Sequence, residues 1–354
     1  MKIGMYTDIH CAYTSSILPI HCEGTKYTTR LKMIIDTFKW MYSVFSAQNV
    51  EIIVNCGDLF DSHNLRSEEI SAMSEALSYS RGVPEYHVLG NHEILDKRRN
   101  FYASAMLSNY AHITIVDVPL KLKNGLSFLP YMEVREVNEC LSLISNKVLF
   151  SHIDIQGSRL NQFHVLEEGV QVSSLSDIFG YVFNGHIHTY QNLGKGVYNI
   201  GATTSYSFAD DMQYDPSICI FDTDTGELTR IRNPYAIKFI KAECSAESQL
   251  AAIKSFLNSM LDRQLVLRIS CESQFKYQLS ELLDAYDNVV TYRIQSSSID
   301  NSELDSEFEK SNSVNTARDV VDKFRNFINT DAELKYSREY YHKVIDTYLR
   351  GDAS

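Results

Sequence analysis

The amino-acid sequence predicts an α/β fold in which helices pack on layers of β-sheet. Within residues 3–222, apolar stretches of strand length alternate with amphipathic stretches of helix length. Nearly all of the apolar stretches run straight into a polar residue. The pattern changes after Pro234, where a second and smaller set of strands and helices begins. A chain of 354 residues is long enough for more than one domain.

The predicted elements of the first part follow from these apolar patterns. Strands are expected over residues 3–6, 50–55, 86–89, 113–116, 148–150, 181–184, 197–200 and 218–221. Helices are expected over residues 30–47, where Leu31, Ile34 and Phe38 share one face, and around residues 68–80. Ligands of open α/β sheets bind outside the carboxyl ends of the strands, so we expect the chemistry there.

The second part begins with a strand and predicts a small α/β domain. Its helices are expected near residues 246–261 and 275–285, and its further strands over residues 265–269 and 289–294. Residues 296–313 contain seven Ser and five Asp or Glu, which predicts a solvated linker. Two amphipathic helices are predicted after it. Their apolar faces fit docking on a partner or on the protein's own core equally well.

Composition restricts the possible functions. Seven scattered cysteines without a C-x-x-C pair indicate a reduced, intracellular protein. We expect neither an export signal nor a membrane span, and therefore a cytoplasmic location. The net charge of −12 is incompatible with a diffuse basic surface for nucleic acids. If the protein acts on a polyanion, bound metal ions and local basic clusters must supply the attraction.

Five short polar clusters follow predicted strands. They are Asp8-Ile9-His10, Gly57-Asp58-Leu59-Phe60-Asp61, Gly90-Asn91-His92-Glu93, Ser151-His152 and Gly185-His186-Ile187-His188. Taken singly, each is typical of an ordinary strand end or turn. Their joint occurrence at successive strand ends instead indicates a metal site.

Seven side chains in these clusters are candidate metal ligands, namely two carboxylates, one amide and four imidazoles. They are Asp8, His10, Asp58, Asn91, His152, His186 and His188. Seven ligands exceed the need of one ion and suit two, and structural zinc would favour Cys. Because residues i and i+2 of a strand share a face, Asp8 and His10 are expected to project together, as are His186 and His188. Two cations that share a carboxylate are typical of in-line attack on phosphorus.

The order of these motifs resembles that of the calcineurin-like metallophosphoesterases. The resemblance covers about the first 200 residues and implies a β-sandwich flanked by helices, with αββα layers and two metals at the strand ends. It implies that one metal is bound by Asp8, His10 and His188, the other by Asn91, His152 and His186, and that Asp58 bridges them. It further implies that His92 stabilises the transition state or protonates the leaving oxygen, and that Asp61 orients His92.

Within this superfamily, the sequence is similar to the SbcD-type nuclease subunits of DNA double-strand-break repair complexes, particularly the short bacteriophage forms. The similarity implies a nuclease domain over residues 1–234, a capping domain over 235–295, the linker over 296–313 and a helical tail over 314–354. This tail is expected to bind an SbcC-type ATPase. The similarity also implies DNA exonuclease or endonuclease activity, two Mn²⁺ ions with Mg²⁺ as a substitute, a homodimer and, for a phage-encoded protein, the host cytoplasm.

Two alternative functions and the role of one basic segment remain open at this stage. A phosphatase or cyclic-nucleotide phosphodiesterase would use the same ligands, although Ser62-His63 stands where protein phosphatases have Arg-Gly. A non-enzymatic scaffold would use the tail alone. Finally, the basic run Lys97, Arg98 and Arg99 is either a contact for DNA phosphates or a solvated charged face.

Overall fold

The computed structural model describes residues 1–14, 18, 22, 24–96, 99, 101–160, 164–208 and 215–296. Lys97, Arg98, nearly all of the predicted linker and the predicted tail over 314–354 lie outside the described residues. The described strands are β1 (Lys2–Tyr6), β2 (Ile52–Asn55), β3 (Glu85–Val88), β4 (Ile113–Val116), β5 (Leu120–Lys121), β6 (Leu126–Leu129), β7 (Val148–Ser151), β8 (Tyr181–Asn184), β9 (Gln191–Gly194), β10 (Val197–Asn199), β11 (Ser217–Asp222), β12 (Leu228–Arg232), β13 (Lys238–Cys244), β14 (Leu265–Cys271) and β15 (Val289–Ser296). The helices are α1 (Thr29–Ala47), α2 (Ser67–Leu77), α3 (Val134–Cys140), α4 (Val172–Ser176), α5 (Glu247–Ser259) and α6 (Lys276–Asp284), with 3₁₀ helices over Ala103–Asn109 and Ser273–Phe275.

The strands form two six-stranded sheets and one three-stranded sheet. The first sheet has the order β12-β11-β1-β2-β3-β4, and β1 to β4 run parallel. The second has the order β5-β6-β7-β8-β10-β9, and β6, β7, β8 and β10 run parallel. The third sheet has the order β13-β14-β15. Because parallel neighbours end at the same edge, the loops after β1 to β3 emerge together, as do those after β7 and β8.

The two large sheets face each other and enclose an apolar core. Met5, Val54 and Val88 of the first sheet pack against Phe128 and Phe150 of the second. The outer face of the first sheet is covered by α1 and α2, and that of the second by α3 and α4. These are the layers of a helix-flanked β-sandwich, so the predicted αββα fold class is confirmed.

Helix α1 shows how the sequence specifies one of these layers. The helix begins after Thr28, whose side-chain oxygen accepts a hydrogen bond from the Leu31 amide. Apolar residues at helical spacing, among them Leu31, Ile34 and Phe38, are buried against the sheet. Arg30 also belongs to this helix and is buried although charged. Its guanidinium donates to the Ile9 carbonyl in the loop after β1.

The eight strands predicted for the first part are all present, with bounds shifted by up to two residues. Strands β5, β6, β9 and β12 and helices α3 and α4 were not predicted. Strand β9 has the sequence Gln-Asn-Leu-Gly and is half-exposed at the sheet edge, so it carries no apolar signal. Among the described residues, no helix has both the length and the apolar character needed to cross a bilayer.

Candidate metal centre

Each candidate ligand lies just beyond the carboxyl end of a strand. Asp8 and His10 follow β1, Asp58 follows β2, and Asn91 follows β3. In the second sheet, His152 comes directly after β7, and His186 and His188 follow β8. The parallel pairings place these strand ends side by side, so side chains far apart in sequence meet at one edge of the sandwich.

The loops that carry the ligands are not extended. Asp8, His10, Asp58 and His186 have positive φ angles of 50°, 46°, 50° and 70°. Left-handed backbone is rare for residues other than Gly and is found where surrounding contacts enforce it. The sequence predicted that Asp8 and His10 share one face of an extended strand, and likewise His186 and His188. This reasoning was wrong, because the backbone at Asp8, His10 and His186 is not extended. Asp8 and His10 do meet, whereas His186 and His188 point into different clusters.

The first cluster consists of Asp8, His10 and His188. His10 Nε2 lies 3.8 Å from Asp8 Oδ1 and 3.0 Å from His188 Nε2. His188 Nε2 also lies 3.8 Å from Asp8 Oδ1. Two imidazole nitrogens and one carboxylate oxygen thus converge on the same small volume.

The second cluster consists of Asp58, His152 and His186, with Asn91 at its side. His152 Nε2 lies 3.2 Å from Asp58 Oδ2, 3.1 Å from Asn91 Oδ1 and 3.3 Å from His186 Nδ1. The Asp58 carboxylate also faces the first cluster, because its Oδ2 lies 3.8 Å from His10 Nε2. One carboxylate oxygen is therefore shared between the two clusters.

The clusters fit divalent cations. Asp8 is buried, and its Oδ1 has no hydrogen-bond partner among the described residues although it faces two imidazoles. A buried carboxylate oxygen without a partner costs free energy that a cation would recover. The 3.0 Å approach of the His10 and His188 nitrogens also suits a cation that both would bind. Imidazole, carboxylate and amide oxygen are ligands for divalent transition metals.

Groups around the clusters fix which imidazole nitrogen faces inward. His152 Nδ1 donates to the Cys56 carbonyl over 2.8 Å, which leaves the lone pair of Nε2 for the cluster. His186 contacts Asp154 Oδ1 through Nε2 at 2.9 Å, and its Nδ1 faces inward. His10 contacts Asp61 Oδ1 through Nδ1 at 3.1 Å.

The sequence alone did not reveal some of these partners. Asp154 stands two residues after His152, and that proximity was its only signal. The Cys56 carbonyl left no signal, because every residue has a backbone carbonyl. Tyr206, which donates to Asp61 Oδ2 over 2.9 Å, belongs to none of the motifs.

The charges of the side chains in the centre favour the binding of cations. Burial alone raises the pKa of Asp58, yet the adjacent His152 and His10 bring that pKa below its usual value. Burial alone lowers the pKa of His10, but hydrogen bonds with Asp61 and Asp8 raise it to about 10. Burial likewise opposes protonation of His152, and the Asp58 charge raises its pKa to about 9. The carboxylates thus stay ionised and attract cations.

The sequence profile of the calcineurin-like phosphoesterases matches residues 1–190, more than half of the chain. The chain belongs to the calcineurin-like phosphoesterase family. Phosphoesterases of this family depend on two metal ions, and the two clusters that share Asp58 are the candidate sites.

Three relatives of this phosphoesterase are nucleases or repair proteins by name. The D subunit of the nuclease SbcCD of Staphylococcus epidermidis is 25% identical over 220 residues, covering 51% of this chain and 58% of that protein. The DNA double-strand break repair protein Mre11 of Sulfolobus acidocaldarius is 24% identical, covering 46% and 45%, respectively. Mre11 of Sulfurisphaera tokodaii is 27% identical, covering 44% and 43%. The chain spans about half the length of these relatives.

Two solved structures are also similar to this phosphoesterase. A dimetal phosphatase from Danio rerio matches with a TM-score of 0.36 and 14% identity, covering 66% of this chain and 98% of that one. The protein TT1561 of Thermus thermophilus matches with a TM-score of 0.38 and 9% identity, covering 65% and 98%.

His92 lies at the rim of the phosphoesterase centre. Its amide donates to Asp58 Oδ1 over 3.0 Å, and its Nδ1 donates to the main-chain carbonyl of Asp61 over 3.0 Å. The Asp61 carboxylate lies farther away, 3.8 Å from the same nitrogen, and contacts His10 instead. The group of Asp61 that hydrogen-bonds the His92 ring is therefore its backbone carbonyl, and the predicted role of Asp61 in orienting His92 stays a prediction. The His92 side chain is 43% exposed, so its ring is accessible to a substrate.

Arg99 is the one described residue of the basic run. Its Nη1 donates to the Tyr131 carbonyl over 3.1 Å. The ring of Tyr131 lies 5.8 Å from that of His186, so Arg99 is attached to a residue that borders the second cluster.

Proposed function

We propose that this phosphoesterase is a two-metal DNA nuclease. The observation that carries the proposal is the position of Asp58 Oδ2, 3.2 Å from His152 Nε2 in one cluster and 3.8 Å from His10 Nε2 in the other. A carboxylate shared by two clusters of inward-facing nitrogens is the arrangement needed to hold two cations near each other. Phosphodiester hydrolysis by in-line displacement is the chemistry that such a pair supports.

The ligand assignment follows the two clusters. One cation would be held by Asp8, His10 and His188, and the other by Asn91, His152 and His186, with Asp58 available to both. The family resemblance makes Mn²⁺ the proposed ion, with Mg²⁺ as the substitute, and the mixed imidazole and oxygen ligands would also accept Fe or Zn. The nitrogen-rich ligand set favours Mn²⁺ over Mg²⁺, because Mg²⁺ prefers oxygen ligands.

The residues of the chain have separate tasks in the reaction. Cations held by these residues would supply positive charge for the attacking and leaving oxygens of the phosphate. Asp61 binds Nδ1 of His10, and Asp154 binds Nε2 of His186. The other nitrogen of each ring is thereby directed toward its cluster. The Nδ1–H group of His92 donates a hydrogen bond to the Asp61 carbonyl. Nε2 is therefore the ring atom that donates a proton to the departing oxygen when the ring is charged.

DNA is the proposed substrate for three reasons. The relatives are named as a nuclease subunit and as DNA double-strand break repair proteins. The chain lacks the Arg that protein phosphatases place after G-D-x-x-D, since Ser62 and His63 stand there. Arg99, anchored beside the second cluster, is a positive group for the phosphate backbone in a chain of net charge −12.

The partner assignment rests on sequence similarity. We propose that the nuclease domain covers residues 1–234, the capping domain 235–295 and the linker 296–313. The tail over 314–354 binds an SbcC-type ATPase, and two nuclease subunits pair. Deleting all residues after Ser313 is expected to spare intrinsic hydrolysis and abolish stimulation by ATP and the ATPase. If the truncated chain still co-purifies with that ATPase, the tail assignment is wrong.

One incubation series tests the activity. The purified chain is mixed with end-labelled duplex, single-stranded and hairpin DNA in the presence of Mn²⁺ or Mg²⁺, and with phosphopeptides and cyclic nucleotides in parallel. Cleavage of DNA with little turnover of the small substrates is expected. Faster turnover of phosphopeptides or cyclic nucleotides would assign the chain to the phosphatase or cyclic-nucleotide branch instead. No hydrolysis and no bound metal would favour a scaffold.

Ligand variants test the metal centre in the same assay. Asp8→Asn and His186→Ala are each expected to lower the cleavage rate by at least about 100-fold while the chain stays folded. His112→Ala is the matched control, because His112 lies at the amino end of β4, whereas the ligands lie at the carboxyl ends of their strands. Its Nε2 forms a hydrogen bond with the Ser80 hydroxyl. Unchanged turnover in either ligand variant would refute the assignment.

A further inference from the structure

Tyr206 connects a segment without catalytic motifs to the first cluster. Its hydroxyl donates to Asp61 Oδ2 over 2.9 Å, and Asp61 Oδ1 lies 3.1 Å from His10 Nδ1. The Tyr206 and His10 rings also lie 5.7 Å apart. A phenol, a carboxylate and an imidazole thus form a continuous chain that ends at a proposed metal ligand.

The segment that carries Tyr206 is itself fixed against the loop after β1. The Thr204 hydroxyl donates to the Ile9 carbonyl over 2.9 Å. The Arg30 guanidinium donates to the Ser205 carbonyl over 2.7 Å and to the His10 carbonyl over 3.1 Å. The backbones of His10 and Ser205 are therefore held by one buried side chain.

The other end of this segment is held by the third sheet. The Phe208 ring lies edge-on to Phe239 of β13 at 5.3 Å. The Arg268 guanidinium of β14 lies 4.4 Å from the centre of the same ring. Tyr206 consequently stands on a short span with anchors on both sides, and its hydroxyl has a fixed position relative to Asp61.

We propose that Tyr206 is a positioning residue for His10, acting through Asp61, and that it strengthens metal binding at the first cluster alone. The proposal rests on the assignment of His10 as a metal ligand. A hydroxyl that donates to one carboxylate oxygen fixes the direction of the other, and this other oxygen fixes the imidazole ring. His152 and His186 of the second cluster are oriented by Cys56 and Asp154 instead, so they do not depend on Tyr206.

Calorimetric titration of the metal-free 354-residue chain with Mn²⁺ tests this proposal. In Tyr206→Phe, which keeps the ring and removes the hydroxyl, one of the two association constants is expected to fall about 10-fold while the other stays unchanged. Hydrolysis should decline at limiting Mn²⁺ and recover at saturating Mn²⁺. Tyr27→Phe is the matched control, because its hydroxyl also donates to a carboxylate, that of Glu75, over 2.8 Å but away from both clusters.

A double-mutant cycle tests whether the effect passes through Asp61. In an Asp61→Asn background, Tyr206→Phe is expected to cause almost no further loss of Mn²⁺ affinity. Full additivity, equal weakening of both sites, or unchanged affinities in Tyr206→Phe would each overturn the positioning role. A wild-type chain that binds no Mn²⁺ would instead refute the metal centre, and with it this proposal, so the two failures are distinguishable.

Discussion

Asp154 Oδ1 lies 2.9 Å from His186 Nε2, so an acidic residue outside every motif orients a proposed metal ligand. His186 lowers the pKa of Asp154 through this hydrogen bond, which keeps the carboxylate charged. In Asp154→Asn, the negative partner of the imidazole is lost. We expect Mn²⁺ affinity to fall about 10-fold to 100-fold at one site, measured by calorimetry on the full chain.

The matched control for this change is Asp177→Asn, which replaces a surface carboxylate by the same amide just after α4. Its Mn²⁺ affinities should equal those of the wild type. If Asp154→Asn also retains both affinities, the orientation of His186 by Asp154 has no energetic role.

Arg30 is a second group whose importance only the structure reveals. It is fully buried in α1 and donates to the carbonyls of Ile9, His10 and Ser205. Arg30→Met would keep much of the side-chain volume and leave these buried carbonyls without their donor. We expect the free energy of unfolding, measured by urea denaturation, to fall by about 3 kcal/mol.

Arg135→Met is the control, because Arg135 is 89% exposed and its ion pair with Glu139, four residues on in α3, lies at the surface. Its effect should stay within about 0.5 kcal/mol. An equally small effect of Arg30→Met would show that water or backbone rearrangement satisfies the three carbonyls.

Gly90 permits the close approach of two loops at the centre. A Cβ atom at this position would overlap the Asp58 carboxylate and backbone. Gly90→Ala should therefore displace Asp58 and lower both Mn²⁺ affinity and hydrolysis by at least about 10-fold. Gly180→Ala is the control, since the nearest heavy atom to its added Cβ is the Lys147 carbonyl oxygen at 3.4 Å. Wild-type affinity in Gly90→Ala would mean that the loops separate without cost.

The positions of the proposed ligands were predictable because strand ends impose them. An apolar run that stops at Asp8 or Asp58 shows where a parallel strand ends, and parallel strands end at one edge. The family resemblance then predicted how the proposed ligands would be divided between two ions. The sequence did not fix the left-handed backbone at Asp8 and His10, since Asp and His are enriched at positive φ but adopt it at only a small fraction of their positions.

The groups that orient the ligands were not predictable for a related reason. Tyr206 and Arg30 reach the centre only through tertiary packing, and nothing in their local sequence distinguishes them from ordinary core or surface residues. Strand β9 was missed because a half-exposed edge strand needs no apolar alternation. Sequence patterns report burial and local conformation, whereas the orientation of the ligand side chains depends on contacts between distant segments.

Glu85 gives the fold a dependence on acid that is separate from the metal centre. It is buried in β3 and accepts hydrogen bonds from Tyr6 and Tyr42, and His87 Nε2 lies 3.0 Å from its Oε1. Burial alone raises the pKa of Glu85, but His87 and the two hydroxyls bring it below the ordinary value of 4.5. A carboxyl whose folded pKa is depressed stabilises the fold above the unfolded pKa, and this contribution disappears as pH falls through the folded pKa.

Glu85→Gln is therefore expected to destabilise the chain by about 1 to 3 kcal/mol at neutral pH, because the charged acceptor of two phenols is lost. The difference from the wild type should shrink as pH falls below the ordinary value of 4.5 and through the depressed folded pKa, where the wild-type carboxyl takes up its proton. Urea unfolding across this pH range measures both effects, with Glu139→Gln as the control at an exposed glutamate. A stability difference that stays constant with pH would mean that ionisation of Glu85 does not stabilise the fold.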